Sequence, residues 1–279
     1  MNIPENDELI EAYVPVFPLE QYFCEQNDCR DIKSPQESCP IVWVEGQYID
    51  NNKFKVIGGH YSGCIIDTEK VCIDPKFLVL EALEVSERTN DPVPKMTEAI
   101  YHCMEVMFEG CIKFDVNHDT FHTPKQLRER IQSWAPTHLI ITGHGDENGL
   151  ACLRWHQANL VTNGEASENT ANVLVPSTVN GEECRTIFEE TDYLSGVTVV
   201  NFACKSGCSP FGALASGSPN ISAYIAPTDN FDSKCGASFL SNLWINLFLL
   251  GQDIKTATDN AILDKVKMPM VVWRDGKTS

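Results

Sequence analysis

The sequence predicts an α/β fold of three layers, in which helices cover both faces of a mostly parallel central sheet. Short apolar runs alternate with stretches of helical periodicity from residue 76 onward, which is the pattern of successive strand–helix–strand units. Two runs, at residues 138–142 and 196–202, are almost wholly apolar, as expected for strands that are buried on both faces. Right-handed crossovers between such strands give a parallel sheet.

The first half of this pattern runs from residue 77 to residue 142. Strands are predicted at residues 77–85, 111–116 and 138–142 because each is short and apolar. The helix predicted between the first two, at residues 94–108, has apolar side chains at helical spacing. The next helix, at residues 123–134, opens with Thr-Pro, a cap followed by proline in the first helical position.

The second half is predicted in the same way. The strands lie at residues 150–155, 196–202, 222–226 and 270–273. The helices lie at residues 182–190, 238–250 and 254–266. The polar residues 162–172 are interpreted as a surface loop, which could serve as an activation or autoprocessing site because long polar loops are where chains are cut and ordered.

Residues 1–75 differ in composition and are predicted to form a small β-containing appendage to a main domain at residues 76–279. Two strand-like runs flank Asp50-Asn51-Asn52, which predicts a hairpin turn. Cys24, Cys29 and Cys39 could suggest zinc, but no clean fourth ligand follows, and buried free thiols are the favoured interpretation.

The charge balance excludes some classes of partner. Lys and Arg number 21 against 39 Asp and Glu, a net charge of −18 that repels nucleic acid and anionic lipid. The amino terminus lacks the pattern of a secretory signal, and the apolar residues 239–251 are too few to span a bilayer. The expected location is therefore the cytoplasm, with the 12 cysteines reduced; a disulfide framework would require that a signal had been removed.

Two predicted core strands end in reactive residues. Residues 138–142 run into Gly143-His144-Gly145-Asp146, and residues 196–202 run into Ala203-Cys204-Lys205-Ser206-Gly207. Ligands gather at the carboxyl ends of parallel strands, so His144 and Cys204 are expected at one edge of the sheet. They would form a cysteine nucleophile with its general base and acid, while the N–H groups of Gly145 and Cys204 hold the oxyanion. The alternatives are a buried structural thiol and a hydrogen-bonded histidine in a turn.

These two motifs resemble those of the caspase-like (clan CD) cysteine peptidases. Phe-Ala-Cys-Lys-Ser-Gly is similar to the caspase form Gln-Ala-Cys-Arg-Gly, although Phe202 replaces the Gln and Ser206 is inserted before Gly207. The resemblance covers about residues 76–275, and the later segments are most like bacterial CHAT-domain proteases. It implies a caspase-like fold, His144 as base and acid, Cys204 as nucleophile and Gly145 as oxyanion donor, without metal or organic cofactor.

The resemblance also implies how a substrate is chosen. Family members with an acidic specificity pocket cut after Arg or Lys, and Asp229 is the residue expected to line that pocket here, with Asp232 or Asp146 as substitutes. A solvated loop carboxylate is the alternative for Asp229. The expected function is thus an intracellular endopeptidase acting on protein substrates, held inactive until a regulatory protein partner engages it. Family membership suggests a role in bacterial antiviral defence or programmed death.

Three other classes of protein offer rival interpretations of the same sequence. Gly143, Gly145 and Gly149 could suggest a dinucleotide site, but a strand rather than a helix is predicted after them. No G-x-S-x-G motif of an α/β-hydrolase is present. The main alternative is a catalytically silent caspase-like scaffold or protein-binding module, because fold alone never proves activity.

Smaller motifs are interpreted conservatively. Cys208 could resolve an oxidised Cys204, but an unrelated thiol is preferred. His118 and His122 have a metal-like spacing, yet they fall in a turn-like polar stretch and are interpreted as surface residues.

Overall fold

A computed structural model of the chain describes residues 9–15, 41–50, 53–67, 71, 76–83, 90–108, 115–162, 165–191, 196–262 and 268–279. Its contacts divide the chain into two units. The first contains Met1–Phe77, Ile100–Val116 and Cys235–Lys267, and the second contains Leu78–Ala99, Asn117–Lys234 and Met268–Ser279. The predicted domain boundary between residues 75 and 76 stays a prediction, because contact density alone does not establish independent domains.

The first unit is built on a four-stranded sheet in the order β1-β2-β3-β4. Its strands are β1 Ile10–Pro15, β2 Ile41–Asp50, β3 Lys53–Val56 and β4 Ile65–Asp67, each antiparallel to its neighbour. Residues such as Val14, Phe54 and Cys64 form its buried core, and burial raises the pKa of the Cys64 thiol. Cys24, Cys29 and Cys39 lie outside the described residues.

The second unit contains the central sheet, which has seven strands and is mostly parallel. Its order is β14-β13-β12-β11-β7-β5-β6. The strands are β5 Lys76–Ala82, β6 Asp115–Phe121, β7 His138–Thr142, β11 Val197–Asn201, β12 Ile221–Pro227, β13 Met270–Arg274 and β14 Lys277–Thr278. Strand β11 is parallel to both β7 and β12, whereas β13 returns antiparallel beside β12. The predicted α/β class is confirmed.

The structure describes six α-helices. They are α1 Pro92–Phe108, α2 Pro124–Trp134, α3 Gly181–Glu189, α4 Phe211–Ala215, α5 Gly236–Trp244 and α6 Ile254–Ala261. Apolar side chains of α2, α3 and α4, including Leu127, Ile187 and Phe211, share one buried cluster with Leu139 and Val199 of the sheet. On helix α1, the Thr97 hydroxyl lies 2.7 Å from the Thr142 hydroxyl of β7.

The cap predicted for the second helix is present in the structure. Thr123 has extended backbone, and its hydroxyl accepts a hydrogen bond from the Gln126 N–H, while Pro124 takes the first helical position. Such a cap satisfies one of the N–H groups that a helix start leaves without a partner. Helix α5 is shorter than predicted, because a π-helical turn, Ile245–Leu249, follows it.

The prediction of a surface loop at residues 162–172 is wrong. Strand β9, Gly149–Thr162, pairs antiparallel with β10, Glu165–Val179, in a long hairpin, with a register shift between Ala166 and Thr170. A short strand β8, Gly145–Asp146, completes this three-stranded sheet. Side chains such as Leu150, Cys152 and Val179 of this hairpin join the core of the second unit, but the sequence at residues 162–172 is polar, so the alternating pattern that predicts a half-buried strand is missing there.

Of the strand predicted at residues 111–116, residues 111–114 lie outside the described residues, and the described strand is β6 Asp115–Phe121. The turn-like interpretation of the stretch around His118 and His122 is therefore wrong, because His118 lies within β6 and His122 directly after it. Burial lowers the pKa of His118. Among the described residues, no group of His, Cys, Asp or Glu side chains could hold a metal ion.

Two further observations concern the cysteines and the apolar segments. Every cysteine in the described part of the chain is a free thiol, including Cys204, Cys208 and Cys235. No helix within the described ranges is both long and apolar enough to cross a bilayer.

Candidate active site

His144 and Cys204 follow neighbouring parallel strands. In the ladder between β7 and β11, Ile141 is opposite Asn201, and the Phe202 N–H donates to the Ile141 carbonyl at 2.8 Å. His144 and Cys204 each come three residues after that matched pair, so both lie where the two strands leave the sheet. The structure therefore brings the imidazole and the thiol to the same carboxyl edge.

The backbone at Gly145 touches the loop that carries the thiol. A Cβ placed on Gly145 would lie 2.9 Å from the Ala203 Cβ and 3.2 Å from the Cys204 carbonyl oxygen. It would also lie 2.9 Å from the carbonyl oxygen of Gly149, across the β8–β9 pair. Only glycine lets these three segments approach so closely, and this explains the residue that follows His144.

The sulfur of Cys204 is half-buried and has a backbone donor. The N–H of Phe231 donates to Sγ at 3.3 Å. The Phe231 carbonyl lies 4.0 Å from the same sulfur, so both backbone groups of Phe231 contact the thiol. The Phe231 ring packs against Phe202, with ring centroids 5.2 Å apart, which fixes this segment beside the nucleophile loop.

The nucleophile sits at the start of a tight turn. Lys205 has a left-handed backbone with φ of 59°, which is uncommon for a residue with a side chain. The turn is held from the β12 side, because the Lys205 N–H donates to the Asp229 carbonyl at 3.1 Å and the Gly207 N–H to the Pro227 carbonyl at 2.7 Å. These bonds hold Cys204 at the sheet edge despite the unfavourable turn conformation.

A buried polar residue supports the turn from below. The Asn201 side-chain oxygen accepts from the Ala203 N–H at 2.9 Å, and its amide donates to the Tyr224 hydroxyl at 2.9 Å. The Tyr224 hydroxyl contacts the Ser206 carbonyl at 3.4 Å. Asn201 is 1% exposed, so each of these groups needs its partner to offset the loss of water.

His144 has a partner that the sequence reasoning missed. Its Nε2 lies 2.7 Å from Oδ2 of Asp91, a carboxylate whose side chain is only 12% exposed. The other oxygen of Asp91 accepts from the Val93 N–H at 2.9 Å, so the same carboxylate caps the start of α1. Asp-Pro directly before a helical segment is a capping pattern that could have identified Asp91, but the helix was predicted to begin two residues later.

The Asp91 contact defines how the imidazole can act. A carboxylate accepts a proton from Nε2, so that nitrogen is the donor in the neutral ring. Nδ1 is then the nitrogen that can take a proton from a thiol and return it to a leaving group. Such an imidazole, oriented by a carboxylate, is chemically able to serve as a general base.

The three carboxylates predicted to recognise substrate all lie near this edge. Asp146 accepts from the Asn148 and Gly149 N–H groups in the turn between β8 and β9. Asp229 accepts from the Asn230 N–H at 2.8 Å, and Asp232 from the Lys234 N–H at 3.1 Å. Asp229 is half-buried and follows β12, next to the nucleophile turn, whereas the other two are exposed.

A basic residue sits among these acids. The Lys205 ammonium bonds Glu147 at 3.1 Å, and this pairing, with a further contribution from Asp229, raises the pKa of Lys205. The main cause that lowers the pKa of Glu147 is the hydrogen bond that its carboxylate accepts from its own backbone N–H. The nearby Lys205 ammonium lowers this pKa further. Glu147 is thus a further carboxylate at this edge of the sheet. It was not predicted from the sequence because it lies in a turn without a motif. We call the charged residues at this edge the rim: Asp146, Glu147, Lys205, Asp229, Asp232 and Lys234.

Cys208 remains a thiol of the same loop. Its Sγ donates to the Thr228 carbonyl at 3.1 Å, which ties it to the segment after β12. The interpretation as an unrelated thiol stays a prediction, as does its alternative.

Gly145→Ala is expected to disrupt the site while leaving the core folded. The added Cβ would meet two carbonyl oxygens and one side chain at 3.2 Å or less, so the β8 turn and the Cys204 loop must move apart. We expect at least a tenfold loss, about 1.4 kcal/mol, in kcat/KM for any reaction in which Cys204 is the nucleophile. Gly58→Ala is the matched control, because its backbone is not left-handed and the nearest atom to a Cβ there is the flexible end of Glu45 at 3.3 Å. Equal kcat/KM values for Gly145→Ala and wild type would contradict the close approach.

No protein-family model matches this chain, and a search of curated proteins found no match. Its function is therefore inferred from its residues and their geometry.

Proposed function

We propose that the protein is a caspase-like cysteine endopeptidase that hydrolyses peptide bonds through His144 and Cys204. One observation carries the proposal: the two residues leave adjacent parallel strands in matched register, and a carboxylate with little solvent exposure contacts the imidazole. The mostly parallel central sheet supports the caspase-like interpretation, and so does the position of the thiol strand beside the imidazole strand.

In the proposed reaction the Cys204 thiol gives its proton to Nδ1 of His144, and the sulfur attacks the substrate carbonyl. The N–H groups of Gly145 and Cys204 stabilise the oxyanion that forms. The carbon–nitrogen bond then breaks as the imidazolium protonates the leaving amine, which leaves an acyl-enzyme. Water, deprotonated by the same imidazole, attacks the thioester and releases the acid and the thiol. Asp91 stabilises the imidazolium in both halves of the reaction.

We propose that cleavage follows a basic residue. The rim carries Asp146, Glu147, Asp229 and Asp232 against the ammonium groups of Lys205 and Lys234, so its balance is negative. A negative rim attracts Arg and Lys side chains and repels Asp and Glu. Asp229 is the preferred contact, because it is half-buried and its backbone already holds the nucleophile turn.

The first test combines a peptide panel with mapping of cleaved protein ends. Fluorogenic peptides with Arg or Lys before the scissile bond are expected to be cut at least tenfold faster than those with Asp, about 1.4 kcal/mol of discrimination. Wild-type protein is expected to generate new amino termini in a proteome, and Cys204→Ala none. Cys208→Ala, which removes the neighbouring thiol, is the matched control and should retain cleavage. Identical profiles for wild type and Cys204→Ala would refute the peptidase and favour the silent scaffold.

The second test concerns Asp91. Asp91→Asn removes the charge that orients and stabilises the imidazolium, so we expect kcat to fall by about 10²-fold while KM stays within about twofold. Asp119→Asn is a suitable control, because that carboxylate pairs with Arg130 instead. A wild-type kcat for Asp91→Asn, with the protein folded, would show that the Asp91 contact has no part in the reaction.

A further inference from the structure

Strand β13 supplies a buried hydrogen bond to the nucleophile turn, residues 203–208. Trp273 of β13 is 8% exposed, and its indole Nε1–H donates to the Gly207 carbonyl at 2.9 Å. Gly207 is itself buried and follows Cys204 by three residues. The turn that carries the thiol is therefore held by a side chain 66 positions later in the sequence.

Two glycines make room for this contact. A Cβ on Gly207 would lie 2.4 Å from the Ala226 carbonyl oxygen and 2.9 Å from Cγ1 of Val271. Val271 lies two residues before Trp273 and so on the same face of β13. A Cβ on Gly212 would lie 2.5 Å from Nε1 of Trp273. The turn thus packs directly on β12 and β13, and the indole takes up the space that a side chain at position 212 would fill.

Hydrogen bonds within the turn connect Gly207 to Cys204. Ser206 is 0% exposed and bonds the Ala203 carbonyl twice, from its N–H at 3.2 Å and from its hydroxyl at 2.7 Å. The ring that the backbone bond closes contains Cys204, and Gly207 follows this ring directly. A support at the Gly207 carbonyl therefore also restricts the backbone of the nucleophile.

Two aromatic side chains from neighbouring strands contact adjacent carbonyls of the turn. Tyr224 of β12 and Trp273 of β13 are opposed partners in the antiparallel ladder, and both belong to one buried cluster. The Tyr224 hydroxyl lies 3.4 Å from the Ser206 carbonyl, whereas the Trp273 N–H lies 2.9 Å from the next carbonyl. The first distance is long for an O–H···O hydrogen bond and the second is typical of N–H···O, so the indole is the stronger support.

Loss of the indole N–H would remove this donor from a buried carbonyl. An unsatisfied buried acceptor is costly, so the turn is expected to shift until Gly207 reaches water or another donor. The imidazole has a separate support, because His144 contacts Asp91. A shift of the turn would therefore move the Cys204 thiol relative to the imidazole.

We propose that Trp273 is a positioning residue, whose indole N–H holds the Gly207 carbonyl and thereby fixes the turn that presents Cys204 to His144. This inference rests on the proposed function for its kinetic consequence. Its structural consequence, a nucleophile turn held in one conformation, does not depend on any activity.

The kinetic test removes the indole N–H and keeps an aromatic side chain. One variant carries 3-benzothienylalanine at position 273, in which sulfur replaces the N–H and both rings are kept; the other is Trp273→Phe. For both we expect kcat to fall by about tenfold or more, with KM within about threefold, because the indole supports the turn rather than the rim.

The matched control is the same pair of replacements at Trp134. This residue packs against the same buried cluster, and its Nε1–H has no hydrogen-bond partner among the described residues. Because no hydrogen bond is lost there, kcat and KM are expected within about twofold of wild type.

Amide hydrogen exchange separates this proposal from the proposed peptidase activity. In the folded Trp273 variants, amides of residues 203–208 are expected to exchange about tenfold faster than in wild type, with exchange at residues 138–142 unchanged. That pattern would support the positioning role even if no peptide bond were cleaved. Gly212→Ala, whose Cβ would displace the indole, is expected to give the same pattern.

Two results would overturn the proposal. One is unchanged exchange of residues 203–208 in both Trp273 variants. The other is an equal acceleration at residues 138–142, which would indicate a general loss of stability rather than release of the turn. Where wild type cleaves peptides, a wild-type kcat in both Trp273 variants would overturn it as well.

Discussion

The parallel pairing of β7 with β11 is the constraint on which the rest of the site depends. Because the two strands run in the same direction and in matched register, the residues that follow them emerge together. A slip by one residue would turn every side chain of one strand to the opposite face of the sheet. Burial of both strands on both faces makes such a slip costly, since Leu139, Ile140, Val199 and Val200 are each 0% exposed.

Strand pairing brings the His144 and Cys204 loops close together, and polar contacts then hold each loop in place. Asn201 and Tyr224 hold the nucleophile turn from inside the sheet, while backbone carbonyls after β12 hold it from the side. Asp91 contacts the imidazole and also caps the start of α1. Buried polar groups of this kind are costly unless they are paired, so they specify one arrangement of the backbone rather than adding much to its stability.

Sequence patterns predicted the elements that are buried and periodic. The strand at residues 138–142 and the helix capped by Thr123 have strong local signals, and both are observed. The β9–β10 hairpin was missed because a ribbon paired through its backbone carries no apolar period in its polar half. Strand β6 continues through the polar residues 117–120, where no apolar run signals a strand.

The same distinction applies to the candidate site. His144 and Cys204 could be singled out because each directly follows an apolar strand. Asp91 could be recognised only as a helix cap, because its contact with His144 joins residues 53 positions apart in the sequence. Glu147 is likewise defined by its surroundings, since the pairing of a carboxylate is not written in its local sequence.

The alkylation of Cys204 measures the juxtaposition of thiol and imidazole most directly. Cys208 is the internal control, because it lies in the same loop and is also partly exposed. With limiting iodoacetamide at neutral pH, peptide mapping should show Cys204 modified at least about tenfold faster than Cys208, since in the proposed site the imidazole takes the proton of the attacking thiol. In His144→Ala that advantage should disappear. Equal rates for the two cysteines in wild type, or an advantage that survives His144→Ala, would contradict the account.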